Sequence, residues 1–203
     1  VRLTPIARGL WLAAGALLIG LALPFPVSAH TGAGGLSGFM SGVAHPLFGP
    51  DHLVAMLAVG LWGSQLGNPA LWVLPVTFPL IMAVGGFLGV VGVELHSVET
   101  VIALSALVLG GMVAFALRPP LWLAGVMVAV FGLFHGNAHG LELPEAADPL
   151  AYAVGFVLAT GFIHLAGIAF GMLGRWPAGA RAVRAGGAVV AAVGLWFLLP
   201  GGA

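Results

Sequence analysis

The chain reads as an all-α polytopic membrane protein, a bundle of six transmembrane helices that follows a cleaved signal peptide. Three observations lead there. Apolar residues make up 61% of the 203 residues and charged ones 6%, against roughly 25% charged in an ordinary soluble domain, and the mean hydropathy is +1.14. The apolar residues fall in six runs, each of about the 20 residues that a helix needs to cross the hydrocarbon core, and none shows the alternation of a barrel strand. The six basic residues, all Arg, segregate from the six acids along the chain. Lipid cannot satisfy a bare backbone, so the runs must be helices.

The first element is a leader. Arg2 and Arg8 precede an apolar run from Gly9 to Leu23, followed by Pro24, Pro26 and the small-residue site Val27-Ser28-Ala29, the pattern of a secretory signal. Residues 1–29 are therefore assigned to the signal peptide and 30–203 to one transmembrane domain. The alternative is an uncleaved seventh helix, which the prolines stop short of a full span. Cleavage after Ala29 leaves His30 at the mature N-terminus, where α-amine and imidazole together can grip a divalent ion, or where the residue merely borders the cut.

The expected spans are about 38–62, 70–92, 97–117, 119–141, 149–173 and 182–199. With the mature N-terminus outside, the inner connections are Gly63–Pro69, the Arg118-Pro119-Pro120 turn and Gly174–Arg181. Arg118, Arg175, Arg181 and Arg184 then lie inside, while Glu94, Glu99, Glu142, Glu145 and Asp148 lie outside, as the positive-inside rule requires. Both termini of the mature chain fall outside. Small-residue spacings such as Gly85 with Gly89, and Gly186-Gly187 with Gly194, predict close helix packing.

Several function classes drop out on composition. The net charge of zero gives no basic footprint for nucleic acid. The absence of Cys removes disulfides, thiolate metal sites, Fe–S clusters and Cys nucleophiles. No Gly-x4-Gly-Lys-Ser/Thr motif is present for driving transport with a nucleotide. What stands out is seven His in so apolar a chain.

The first cluster runs from His45 to His52 through Pro46, Gly49, Pro50 and Asp51. Seven residues apart on a straight helix, His45 and His52 would share a face but sit about 10 Å apart along the axis. Pro46, Gly49 and Pro50 predict a broken helix that frees carbonyls between them, and discontinuous helices at membrane depth are a common way to build a substrate site. A carboxylate as deep as Asp51 costs about 2.5–3.5 kcal/mol on insertion scales, so it needs a partner or a task. The plainer alternative is a Pro-kinked helix whose Asp51 and His52 pair for structure.

In the second cluster His135 and His139 are four residues apart, and Glu142 follows three later, so the three share one helical face. Two imidazoles and a carboxylate suit borderline first-row ions such as Ni, Zn, Cu or Fe, with Asn137 as an outer-shell partner. A His pair of this kind also serves as a proton relay or a haem ligand. Counted from the outer ends of their spans, His45 and His135 fall at one depth, Asp51 and His52 nearer the midplane, and His164 at or below it. The series Glu142/His139, His45/His135, Asp51/His52, His164 therefore descends inward as a path, with an interhelical hydrogen bond as the alternative for His164. His96, between Glu94 and Glu99, is a candidate capture ligand or an ordinary solvated loop residue. A His-rich site in each of spans one and four, which enter from opposite sides, fits two inverted three-helix halves.

His45-Pro46, Gly49-x-Asp51-His52-Leu53-x-Ala55-Met56 and Phe134-His135-Gly136-x-Ala138-His139-Gly140-x-Glu142 together resemble the HupE/UreJ family of hydrogenase and urease accessory membrane proteins. The likeness covers essentially the whole chain. It implies a nickel, or in some cases cobalt, permease of the bacterial inner membrane, with periplasmic termini and no enzymatic activity. It also implies that His45, Asp51, His52, His135, His139 and Glu142 form the metal path. The ion is then substrate rather than a permanently bound cofactor, and nickel-enzyme maturation proteins are the expected partners beside the bilayer. The chemistry agrees: mixed imidazole and carboxylate donors favour Ni(II) or Co(II), and also Zn(II), over Mg(II). The alternatives are an intramembrane metal-dependent hydrolase holding its ion through His and Asp, a haem-binding electron carrier, and a chaperone or sensor of a metalloenzyme.

Overall fold

The computed structural model describes residues 35–142 and 148–200. Among these the chain is all-helical, without a strand. The helices are α1 (Gly35–Phe48), α2 (Pro50–Leu66), α3 (Ala70–Val90), α4 (Val98–Ala114), α5 (Leu121–Leu141), α6 (Pro149–Gly171) and α7 (Pro177–Leu198), with a 3-10 turn at Met172–Arg175. Four of them, α3, α5, α6 with its 3-10 turn, and α7, are long and apolar enough to cross a membrane, and α4 is a shorter apolar helix. Large apolar side chains such as Phe87, Phe115, Leu150 and Phe162 are two-thirds or more exposed, a surface suited to lipid and not to water. The expected leader 1–29 and His30 lie outside the described residues.

The expected first span, 38–62, is two helices. Gly49 is extended (φ −89°, ψ 99°) between the last turn of α1 and Pro50, which opens α2. A proline suits the first position of a helix, where no N–H is needed. Within α1 and across the break, Pro46 and Pro50 withhold the N–H groups that the carbonyls of Gly42 and Pro46 would otherwise receive. The discontinuity therefore falls where Pro46, Gly49 and Pro50 predict it. One expected connection is corrected: Gly174–Arg181 is mostly helical, because Pro177 starts α7 well before residue 182 and places Arg181 on its exposed face.

Three seams of glycine hold the bundle together. A Cβ on Gly42 would meet the Tyr152 carbonyl, and one on Gly60 the His164 carbonyl, so α1 and α2 run along α6 in the same direction. Gly85 and Gly136 likewise lie against the carbonyls of Leu133 and Met82, and α3 runs parallel to α5. Gly110 and Gly194 bring α4 and α7 together antiparallel. Backbone contact this close replaces the hydrophobic drive that lipid cannot supply. Helix α2 is central, packing on α3, α4, α6 and α7.

The two ends of the bundle differ in how they are finished. At one end the carbonyls at and just beyond the C-terminus of α4 accept from other helices: Gln65 donates to Val113 (3.0 Å), Arg184 to Ala114 (2.7 Å) and Trp62 to Leu117 (3.1 Å). This end carries Arg118, Arg175, Arg181 and Arg184. At the other, Asp148 caps α6 by accepting from the N–H groups of Leu150 (2.9 Å) and Ala151 (3.0 Å), ahead of Pro149 at the first position. Glu94, Glu99 and Glu142 share that end.

Candidate metal centre

Side chains from α1, α2, α5 and α6 meet in the core as a single file. At the carboxylate end, His45, His139 and Glu142 present ligand atoms that all lie within 4.8 Å of one another, with His45 Nε2 at 3.2 Å from Glu142 Oε2. Glu142 is about half exposed and His45 about a third, so this group forms the mouth. The His139 ring lies 4.7 Å from that of His45 and 4.6 Å from that of His52, and His52 lies 5.1 Å from His135. Phe78 of α3 then packs edge-on against both His135 (5.1 Å) and His164 (5.4 Å).

The break at Gly49 is what admits this arrangement. It lets His45 and His52, seven residues apart, approach the same imidazole from two sides. Asp51 turns its carboxylate onto its neighbour, with His52 Nδ1 at 3.0 Å from Asp51 Oδ1. A carboxylate at that distance accepts a hydrogen bond from Nδ1–H, which keeps the proton there and leaves Nε2 as a lone-pair donor. His135 is set in the same way, since its Nδ1 lies 2.8 Å from the Phe131 carbonyl. The Nε2 atoms of His52 and His135, and both nitrogens of His139 and of His164, are buried without a hydrogen-bond partner. Near His164, Pro79 deprives the Pro75 carbonyl of its helical donor, and that carbonyl faces the ring without closing a hydrogen bond. Each unpaired buried polar atom costs about 1–3 kcal/mol. The unpaired nitrogens belong to adjoining rings, from His139 through His52 to His135, and to His164 beyond Phe78.

The structure brings His45, Asp51, His52, His135, His139, Glu142 and His164 into this file, but pairs them differently from the sequence expectation. His135 does not share one convergent group with His139 and Glu142; His45 takes its place, and His135 faces His52 and Phe78. The expected level of His45 with His135 is corrected for a physical reason: Gly38 lies against Asp148, the cap of α6, so the first turn of α1 rides at the mouth. Asn137 is not beside the imidazoles. Fully buried, it donates to the Val93 carbonyl (2.8 Å) and accepts from Leu95 N–H (3.0 Å), tying down the α3–α4 connection. His96 is exposed on that connection and belongs to no converging group among the described residues.

Three residues at the site escaped the sequence reading. Phe78 separates His164 from the other imidazoles; its signal was its position between Pro75 and Pro79 in an otherwise uniform apolar run. Phe156 covers His139 at 4.4 Å, and Tyr152, the one tyrosine of the chain, lies 6.0 Å from His45 with its hydroxyl buried and unpartnered. An apolar cavity of ≈ 190 Å³ between α3, α5 and α6 ends on His139 and Tyr152.

Fold and site together define a helical membrane protein with a buried file of imidazoles that opens at a carboxylate-bearing end. The chain belongs to the HupE/UreJ family, whose sequence model, described as HupE / UreJ protein, matches residues 16–197. It is 42% identical over 182 residues to Protein HupE of Rhizobium leguminosarum bv. viciae, an alignment that spans 90% of this chain and 95% of that protein. No solved structure matches it.

Proposed function

We propose that this chain is a secondary permease that carries Ni(II) or Co(II) across the bacterial inner membrane to supply a metalloenzyme such as a hydrogenase or urease, and that it is not itself an enzyme. The observation that carries the reading is the run of buried, unpartnered nitrogens on His139, His52 and His135, followed beyond Phe78 by those of His164. A resident metal needs one closed site, whereas a file of sites with overlapping ligands suits an ion that must leave as readily as it arrives. His45, His139 and Glu142 capture the ion at the mouth. His139 is shared with the next position, where the Nε2 atoms of His52 and His135 take over; Asp51 holds the tautomer of His52 and offsets the charge of the cation. Beyond Phe78, His164 and the Pro75 carbonyl are the last donors before the arginine-bearing end.

In this reading α1 and α2 are one interrupted span, the bundle has six spans, and the arginines face the cytoplasm with both termini periplasmic. The helix pairing supports two inverted halves: exchanging spans one, two and three with four, five and six converts the α1/α2–α6 seam into the α5–α3 seam and maps α4–α7 onto itself. The test is radiometal uptake into cells or vesicles with Ni, Co, Zn and Mg in parallel, normalised to inserted protein. Saturable uptake of Ni or Co with exclusion of Mg is expected. Absence of uptake, with one metal ion held stoichiometrically after purification, would overturn the permease in favour of a fixed-metal site.

A further inference from the structure

A second recess lies away from the imidazole file, at the arginine-bearing end. It has a volume of ≈ 340 Å³ and is lined by Ser64, Gln65, Asn68, Arg118 and Arg175, drawn from the ends of α2, α4 and α6 and the connections that follow them. Among the described residues neither Arg118 nor Arg175 has a carboxylate within ion-pair distance. Two guanidinium groups beside neutral polar side chains repel a cation and present paired donors to a phosphate. Gln65 in its wall has its amide nitrogen committed to the Val113 carbonyl, which fixes that side of the recess.

The depth of the recess is marked independently. Trp72 in the first turn of α3, Trp122 in the first turn of α5 and Trp176 before α7 are 57%, 69% and 51% exposed, and all three belong to this end. Exposed tryptophans sit at the headgroup level of a bilayer, which places the recess in the lipid phosphate layer. We infer that it binds the headgroup of an anionic phospholipid whose phosphodiester lies between Arg118 and Arg175. Basic recesses between helices are a recurrent way to hold such lipids.

Native mass spectrometry of the full chain in detergent, titrated with phosphatidylglycerol or phosphatidylcholine, tests this. Phosphatidylglycerol should bind at least about tenfold more tightly. Arg118→Gln with Arg175→Gln, both exposed positions that leave the fold intact, should abolish the preference. Arg181→Gln, at the same end but outside the recess, should change it less than about twofold. Equal loss in Arg181→Gln would overturn the site in favour of diffuse surface charge. Displacement of the lipid by inorganic phosphate or glycerol phosphate would assign the recess to a soluble anion, and an unchanged preference in the double variant would remove the arginines from it.

Discussion

Helix α5 and the pair α1–α2 both contribute two histidines to the file, by opposite means. In α5 the backbone is continuous, and spacing alone puts His135 and His139 one turn apart on one face, both against His52. In α1–α2 the histidines are seven residues apart, too far for a straight helix to bring them to one point, and the backbone gives way at Gly49 so that both rings reach His139. The first solution costs nothing in helix hydrogen bonds. The second gives up backbone pairing inside an apolar bundle, which is expensive. On the proposed permease reading that cost lets two sites share one ligand, His139.

Removing the side chains that justify the break should have the largest effect. His52→Ala should reduce nickel uptake, per inserted protein, to the level of cells lacking the protein. Asp51→Asn keeps size and removes charge and tautomer control, and a loss of about 10–100-fold in metal affinity is expected. Near-normal uptake in both would take the path out of α2. Next, His139→Ala and His135→Ala distinguish the shared ligand from the unshared one: calorimetric titration of the purified variants with Ni(II) should show the greater loss for His139→Ala. Equal losses would mean that sharing has no energetic role.

Gly49→Ala probes the break itself. The added methyl fits the φ of Gly49 but comes 3.2 Å from His52 Nδ1, so it should displace the ring from Asp51 and slow uptake by roughly three- to tenfold, intermediate between wild type and His52→Ala. The smallest effect on transport belongs to Asn137→Ala. That change leaves the Val93 carbonyl and the Leu95 N–H without their partner, a cost of about 1–3 kcal/mol. A lowered melting midpoint with unchanged nickel affinity is expected, and a fall in affinity would return Asn137 to the metal's surroundings.

The ionisable residues of the file and the break at Gly49 were legible in the sequence, because a charge or a proline in an apolar run conflicts with its surroundings. Their pairing was not. Depth counted from a span's end assumes that all helices start level, and α1 begins level with Asp148, ahead of α6; this moved His45 from His135 to His139. Phe78 was hidden because an aromatic residue in an apolar helix violates nothing. The start of α7 at Pro177 was missed because Arg175 and Arg181 made a helical segment look like a loop, although an arginine at the bilayer surface is compatible with either. Gly85, Gly89, Gly187 and Gly194 announced close packing, but spacing alone did not say which helix each would meet.

The glycine seams have a mechanical consequence. They join α1 and α2 to α6, and α3 to α5, backbone against backbone, whereas α5 meets α1 and α2 through side chains, chiefly the imidazoles themselves. The molecule is thus stiff within each welded pair and compliant between them, and its most compliant plane contains the file. A small rocking of one pair against the other would part His139 from His45 or from His52 while leaving the glycine seams within each pair intact. On the proposed reading, the ligands that would hold an ion therefore lie along the line where the protein can most cheaply let it go.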